Sequence, residues 1–538
     1  MPEIGYNLSM EKAENIIVKD LTKYSRAELE DQYVKLSTQV EELSSKLAWY
    51  KEQYRLSREK RFGASSEKTD FDQLSLFNEA EAEAVPLFVE PKPEEVFGKG
   101  KKKKGHKAQI TKNLPVEVVE YRLSPEEQVC PECGESLHEM SKEIHKEFKV
   151  IPAQLIVTEK VQYIYACRNC EKHNTETPII PAPMPTPVLR NSLASPSLVS
   201  YIMTRKYMEA IPLYRQEQQF KHFGLDISRQ TMANWVIRTA SDWLKPLYQR
   251  MHEHLVEKDI LHADETTLEV LCEPGRPATS SSYMWMYRTS GDSVPIILYD
   301  YREGRSGDYP KEFLNGFRGF LHVDAYAGYH KVPDVTLVGC MAHARRKYDE
   351  ALKALPDSQS ITAVSSREGL EYCNQLFEIE KQLKGLPYEE RYKERLARSK
   401  PVLDAYFAWV EVQSKRALPQ SYFGKAITYS QRQRSKLENF LLDGRLELSN
   451  NRGERSIKPF IIGRKNWLFS NTPRGATASA IIYSIIETSK ENNLNPFNYL
   501  TYLFERLPNM DLTDQDELDK LLPYSTELPD NCRSLKKL

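Results

Sequence analysis

Three acidic residues stand where carboxylates could hold metal ions. Asp264 lies inside an apolar run with the pattern of a strand, Asp324 ends a later run, and Glu454 follows two asparagines in a helical segment. A buried carboxylate is costly unless a cation or hydrogen-bond donors meet it. If the three converge, they can hold two Mg²⁺ or Mn²⁺ ions for phosphodiester chemistry. Each acid alone could instead be an ion-paired surface carboxylate, Glu454 with Lys458 at i+4.

The elements that would position these acids form a predicted sheet. Its strands are predicted at 260–270, 283–288, 295–301, 319–323 and 335–339, with a helix at 310–315 before the fourth. In a ribonuclease H-like sheet the first and fourth strands are neighbours, and the second and third extend the other edge. Asp264 and Asp324 would then lie side by side, whereas Asp300 in the third strand would lie apart. A helix from residue 451 would bring Glu454 to the same place, and another is predicted at 476–490.

A group of basic residues accompanies Glu454 in the sequence. The group comprises Arg452, Arg455, Lys458, Arg464 and Lys465. Cationic side chains of this kind bind phosphate oxygens, so these residues are candidate contacts for a scissile DNA strand. The alternative is a solvated charged face.

Four of the eight cysteines form two Cys-x-x-Cys pairs, which are Cys130 with Cys133 and Cys167 with Cys170. Short β-like runs at 116–123, 148–157 and 162–166 surround them. Each pair can bind one side of a tetrahedral Zn²⁺ ion, and four thiolates indicate one structural ion. Four free thiols are the alternative. The other cysteines are scattered and predict no disulfide framework.

Helical periodicity follows between residues 190 and 256. Helices are predicted at 196–208, 213–223 and 229–244, with Gly224 in a turn and Ser228 as a helix cap. A helix, a glycine turn and a capped helix are typical of a helix-turn-helix. Arg229, Gln230 and Asn234 are therefore candidate DNA contacts. Helical pairs of this kind can also simply pack within their own chain.

The N-terminal part carries association and linker segments. Residues 29–54 have apolar side chains at steps of four and three, which predicts a coiled coil and a homo-oligomer, at least a dimer. Packing of that helix on its own chain is the alternative. Residues 65–115 turn from acidic to lysine-rich and predict a linker, whose lysines are as consistent with solvation as with DNA contact.

Composition alone indicates no nucleic-acid partner, because 75 basic residues balance 76 acidic ones among 538. No apolar run has the length of a membrane span, so no membrane partner is expected. The sequence predicts a cytoplasmic protein.

Longer motifs run through nearly the whole chain. They are Arg61-Phe-Gly-Ala-Ser-Ser-Glu-Lys68 after the heptads, Ser195-Pro-Ser-Leu, Leu213-Tyr-Arg-Gln, Asn450-Asn451 before Glu454, and Gly463-Arg-Lys-Asn-Trp-Leu-Phe469. With the four-cysteine module, they resemble the transposases of the insertion-sequence-66 group. The resemblance implies that Asp264, Asp324 and Glu454 are a DDE triad.

The resemblance also implies a reaction and partners. It implies a bacterial, nucleoid-associated enzyme that uses two Mg²⁺ ions to cut double-stranded DNA at the terminal inverted repeats of its element. The same enzyme would join the cut end to target DNA. Small accessory proteins of the element are further implied partners.

The segment Cys340-Met-Ala-His343 resembles the Cys-x-x-His signature that precedes the helical insertion in related transposases. The gap from Asp324 to Glu454 would then be an inserted domain. From the residues alone, Cys340 and His343 end the fifth strand and begin a helix. Support of the active site, core packing and DNA contact all stay open for them, and they are not interpreted as zinc ligands.

The predicted fold class is a multidomain α+β and α/β chain with a ribonuclease H-like catalytic core and a helical insertion. The predicted segments are 1–64 coiled coil, 65–115 linker, 116–185 zinc-binding β module, 190–256 helical DNA-binding region, 257–343 first part of the core, 344–446 helical insertion, 447–505 remainder of the core and 506–538 tail. Two other functions compete with the DNA-joining enzyme. One is a DNA-binding regulator whose sheet is only a scaffold, and the other is a nuclease that cuts without joining.

Overall fold

In a computed structural model, the structure describes residues 154–166, 179–354 and 361–534, together with a few isolated positions between 25 and 36. The four paired cysteines, the linker and nearly all of the heptad segment lie outside the described residues. Residues 343–384 and 397–434, as far as described, belong to one compact unit, which we call the helical unit. The described residues 154–342, 385–396 and 435–534 belong to a second, the core unit.

A small two-stranded sheet opens the core unit. Strands β1 (Ile164–Ala166) and β2 (Ile179–Pro181) are antiparallel. The strand predicted at 162–166 is thus confirmed. The run predicted at 148–157 is wrong in its described part, because residues 154–163 form neither helix nor strand. An apolar run becomes a strand only when a partner strand takes up its backbone hydrogen bonds, and 154–157 pair with none within the described residues.

Four helices follow in the core unit. They are α1 (Pro196–Tyr207), α2 (Leu213–His222), α3 (Arg229–Thr239) and α4 (Lys245–Val256), with a π-helical turn at Ala240–Leu244. The Ser228 hydroxyl accepts a hydrogen bond from the Thr231 N–H at 3.1 Å, which caps α3. Gly224 has a φ of +81°, a conformation that favours glycine, and it ends the α2 turn. The predicted helices, turn and cap are confirmed.

A five-stranded sheet forms the centre of the core unit. Its strands are β3 (Ile260–Glu269), β4 (Ser281–Thr289), β5 (Ile297–Arg302), β6 (Gly319–His322) and β7 (Val335–Val338), in the order β5-β4-β3-β6-β7. The first three form an antiparallel meander, and β6 and β7 run parallel to β3. A parallel neighbour needs a crossover connection, which passes through α5 (Asp308–Phe313). The first and fourth strands are neighbours, as predicted.

The predicted insertion is helical where the structure describes it. Its helices are α6 (Met341–Ala354), α7 (Ile361–Gln382), α8 (Tyr388–Glu394), α9 (Lys400–Ser414) and α10 (Tyr422–Glu438). Aromatic rings fill the interior of the helical unit, where Tyr348, Tyr406 and Trp409 are buried and Tyr406 lies 2.6 Å from the Ser430 hydroxyl. Residues 385–396 and 435–446 belong to the core unit instead.

Four more helices complete the core unit. They are α11 (Asn451–Trp467), α12 (Pro473–Glu491), α13 (Pro496–Arg506) and α14 (Gln515–Leu521). Helix α12 packs on β5, where the Ile297 N–H donates to Thr488 at 2.9 Å and the Tyr299 N–H donates to Ser484 at 2.8 Å. Within the described residues, no helix has the length and apolar character needed to cross a membrane.

The stretch predicted only as a tail contains α14 and packs into the core unit. Leu518 and Leu521 are buried, and Asp519 pairs with Arg250 of α4 at 2.7 Å. The apolar residues of this stretch are therefore part of the fold.

Candidate carboxylate active site

The register of β3 against β6 aligns two of the predicted acids. His262 lies opposite His322 in this parallel pair, and Asp264 and Asp324 each follow two residues later. Residues two apart on a strand share a face. The backbone stays hydrogen-bonded to β7 one residue past the end of β6, because the Val323 N–H donates to the Val338 carbonyl at 3.0 Å. Asp264 and Asp324 therefore occupy equivalent positions on one face.

Glu454 comes to this face from the first turn of α11, which packs along β3 and β4. All three acids are half-buried. The charges of Asp324 and Glu454 both act on Asp264, so the structure brings the three predicted carboxylates into one electrostatic neighbourhood. Asp300, by contrast, lies in β5 at the far edge of the sheet, where Arg302 contacts it at 2.6 Å.

Burial is the main cause that raises the pKa of Asp264 well above its usual range, and the charges of Glu265, Asp324 and Glu454 raise it further. Like charges held this close disfavour full ionisation of the group. A divalent cation would remove that repulsion, and Mg²⁺ prefers carboxylate oxygens as ligands. The residues present therefore fit a divalent metal centre.

Mg²⁺ is expected to raise the Tm of the wild-type protein by several degrees, and Asp264→Asn is expected to remove that increase. An ion that binds only the folded state at 100 times its Kd adds about 2.7 kcal/mol to the free energy of unfolding. Calorimetry with and without Mg²⁺ measures the shift. Asp308→Asn, an exposed acid on α5, serves as the control and should respond to Mg²⁺ as the wild type does. An equal shift in Asp264→Asn would contradict the site.

A fourth carboxylate, Glu265, lies beside the three and was not predicted. Burial and the charge of Asp324 raise the pKa of Glu265. Its oxygens are already engaged, since the Tyr329 hydroxyl donates at 2.5 Å and the Arg305 Nε at 2.8 Å. Glu265 thus adds negative charge to the site while its own oxygens contact protein donors.

Behind the acids lies a buried polar network that ties α11 to the sheet. The ring of His262 stacks on that of His322, with centroids 4.3 Å apart. Burial lowers the pKa of His262 to about 3, so its ring is neutral and its Nδ1 donates to the Asn450 Oδ1 at 2.8 Å. The Asn450 Nδ2 donates in turn to the Ala263 carbonyl at 2.8 Å. Asn450 directly precedes α11, so these bonds fix the helix that carries Glu454.

The sequence contains a signal for the stacked histidines of this network. His262-Ala-Asp264 and His322-Val-Asp324 repeat a His-x-Asp spacing on two strands. A repeated pair of this kind predicts two strands in the same register with both histidines beneath both acids.

Cys340 adds a further contact to the network. It is buried just after β7, and its Sγ accepts a hydrogen bond from the Asn450 N–H at 3.2 Å. It also lies within 4.8 Å of a carboxylate oxygen of Glu454. Active-site support is therefore the hypothesis for Cys340 that these contacts favour. His343 falls in the first turn of α6 and belongs to the helical unit.

The basic residues predicted around Glu454 are spread along α11. Arg455, Lys458 and Lys465 are exposed, whereas Arg452 pairs with Glu447 at 2.6 Å. Arg464 contacts the Thr267 hydroxyl of β3 at 2.9 Å. Arg464 and Lys465 lie about 15 Å along the helix axis from Glu454, so they extend the positive surface away from the acids.

The DNA contacts predicted on α3 share its exposed side. Arg229, Gln230 and Asn234 are all exposed, while Met232 and Trp235 of the same helix are buried. The arrangement leaves these three side chains available to a ligand.

Comparison with known proteins places the chain in a family. The model described as "Transposase IS66 family" matches residues 191–478, which is more than half of the chain and includes all three acids. The chain belongs to the IS66 transposase family. Other models of the same family match as well. They are the zinc-finger binding domain of transposase IS66 at 127–171, the IS66 C-terminal element at 484–524 and the "Transposase C of IS166 homeodomain" at 49–119.

Relatives of this IS66 chain are found in Sinorhizobium fredii. The uncharacterized protein y4jD is 30% identical over 417 residues, which cover 75% of this chain and 79% of y4jD. The uncharacterized protein y4hP is 29% identical over 418 residues, which cover 73% of each chain. The resemblance predicted from the short motifs is confirmed, and the zinc-finger match spans the two cysteine pairs.

Proposed function

We propose that this IS66 transposase is a DDE enzyme with a ribonuclease H-like core that cuts DNA at the ends of its element and joins them to target DNA. The observation that supports the proposal is that Asp264 and Asp324 each follow the aligned pair His262 and His322 by two residues, while the charges of Asp324 and Glu454 both act on Asp264. The sheet order and the parallel pairing of the first and fourth strands support the fold assignment.

The three carboxylates would hold two Mg²⁺ or Mn²⁺ ions through their oxygens. When bound, these ions supply activation of the attacking oxygen and charge stabilisation of the leaving oxygen. The contribution of the protein is to hold the three carboxylates in place. The β3–β6 register fixes Asp264 and Asp324, and the hydrogen bonds of Asn450 fix the start of α11 and with it Glu454.

Two displacements at phosphorus make up the proposed reaction. In the first, water attacks a phosphodiester at the element's end, and the 3′ oxygen leaves as a hydroxyl. In the second, that hydroxyl attacks a phosphodiester of the target, whose own 3′ oxygen leaves. No covalent bond to the protein is needed in either step.

The remaining parts of the proposal concern recognition and assembly. Arg229, Gln230 and Asn234 on α3 would contact the terminal inverted repeats, and the exposed cations of α11 would contact phosphates. The four cysteines would hold one structural Zn²⁺ ion, and the heptads would pair two copies of the chain. Arg452 and Arg464 would bind phosphates while they keep their present contacts with Glu447 and Thr267.

Strand transfer is the activity that tests this function. A labelled duplex carrying an element's end is incubated with a target plasmid in Mg²⁺, in Mn²⁺ or in EDTA. We expect joined products in either metal and none in EDTA. Cleavage without joined products would indicate a nuclease, and DNA binding without cleavage would leave a regulator.

A further inference from the structure

A buried lysine near the carboxylate site has no part in the function proposed so far. Lys436 lies near the end of α10 and is only 5% exposed, whereas Lys425 of the same helix is exposed. Lysines are almost never fully buried without a partner. Within the described part of the chain, Lys436 makes no ion pair with any carboxylate.

Two backbone hydrogen bonds connect the end of α10 to the strands next to Asp324. The Val323 N–H donates to the Val338 carbonyl at 3.0 Å, and the next residue, Gly339, donates its N–H to the Lys436 carbonyl at 2.9 Å. Asp324 and Gly339 are the residues that directly follow this hydrogen-bonded pair, Asp324 after Val323 and Gly339 after Val338. A Cβ at Gly339 would lie 3.2 Å from the Lys436 carbonyl carbon, so a glycine permits this close approach. The end of α10 is thereby fixed beside the strand that neighbours Asp324.

The charge of Asp324 acts on Lys436 as well. Burial lowers the pKa of Lys436, and Asp324 opposes that change. The ammonium therefore interacts electrostatically with Asp324, and within the residues described no ion pair joins the two side chains. Such a group can bind a ligand anion that the acids themselves would repel.

We propose that Lys436 is a further catalytic residue, whose ammonium binds a non-bridging oxygen of the scissile phosphate on the Asp324 side of the site. This inference rests on the proposed function. Negative charge is spread over the phosphoryl oxygens in the transition state of phosphoryl transfer. A cation fixed in advance in a water-poor site stabilises that charge far more than a mobile one in solvent.

The test compares Lys436→Gln with Lys425→Gln, which removes an exposed charge from the same helix. Removing one such donor is expected to slow single-turnover strand cleavage by about 10²–10³-fold. A second measurement records DNA affinity against salt in Ca²⁺. Loss of one phosphate contact should reduce the slope of log affinity against log salt by about 0.9. Lys436→Arg keeps the positive charge and should restore part of the cleavage rate and part of the salt slope.

Each outcome decides the inference separately from the proposed function. Wild-type cleavage and salt slope in Lys436→Gln would overturn it. Slower cleavage with an unchanged slope and a lower Tm would also overturn it, because Lys436 would then serve only the fold. If the wild type fails to cleave any end DNA, the proposed function fails. The salt slopes of Lys436→Gln and Lys425→Gln still test the phosphate contact in that case.

Discussion

Asp324→Asn is expected to slow metal-dependent strand cleavage on the order of 10³-fold or more and to leave DNA binding unchanged. The amide has the size of the acid and can still accept the Tyr326 N–H hydrogen bond, which is 2.8 Å long in the structure. It loses the negative charge that would hold a metal ion. Single-turnover cleavage of labelled end DNA measures the loss, and fluorescence anisotropy measures binding.

A matched control separates this loss from damage to the sheet. Asp300→Asn changes another half-buried acid of the same sheet, on β5 at the far edge from Asp324. We expect it to cleave as the wild type does. The triad would be contradicted if Asp324→Asn and the wild type cleaved at the same rate.

Asn450→Ala is expected to produce the next largest effect, on both stability and cleavage. The variant leaves the Ala263 carbonyl and the His262 ring without their buried partner, which costs about 1–3 kcal/mol of unfolding free energy. It also frees the start of α11. A shift of about 1 Å at a reacting group can cost roughly 10²-fold in rate. Urea unfolding and cleavage rates measure the two effects.

The neighbouring residue offers the control for this variant. Asn451 is half-buried, is the first residue of α11 and makes no side-chain hydrogen bond within the described residues. Asn451→Ala should change stability little and cleave as the wild type does. If the two alanine variants behaved alike, Asn450 would have no special part in holding α11.

Much of the core unit could be predicted because its signals are local. Each strand of the sheet is a short apolar run between turn residues, and the predicted limits differ from those found by only a few residues. Ser228 could be predicted as a cap because a serine directly before a helix typically accepts a hydrogen bond from a free backbone N–H of the first turn. The placement of Asp264 beside the strand of Asp324 followed from assuming the strand order of a ribonuclease H-like sheet, in which the first and fourth strands are neighbours, as they are in the structure.

The rest depends on contacts between distant parts of the chain. Asn450 and His262 are 188 positions apart, so the sequence gives no direct sign of their hydrogen bond. In the sequence, Lys436 is one more cation of a charged helix, and its burial and the backbone hydrogen bond to Gly339 become visible only in the structure. Leu518 and Leu521 lie in a short polar-rich stretch that local periodicity could not distinguish from a tail.

Helices close both edges of the five-stranded sheet. On β5, Ser484 and Thr488 of α12 take up the outward N–H groups, and on β7 the Asn439 amide donates to the Leu337 carbonyl at 2.8 Å. An open strand edge is a template on which other chains add strands and aggregate. Side-chain hydroxyls and an amide occupy the places that a further strand would take on β5 and β7, so these edge positions are not open to strand addition by another chain.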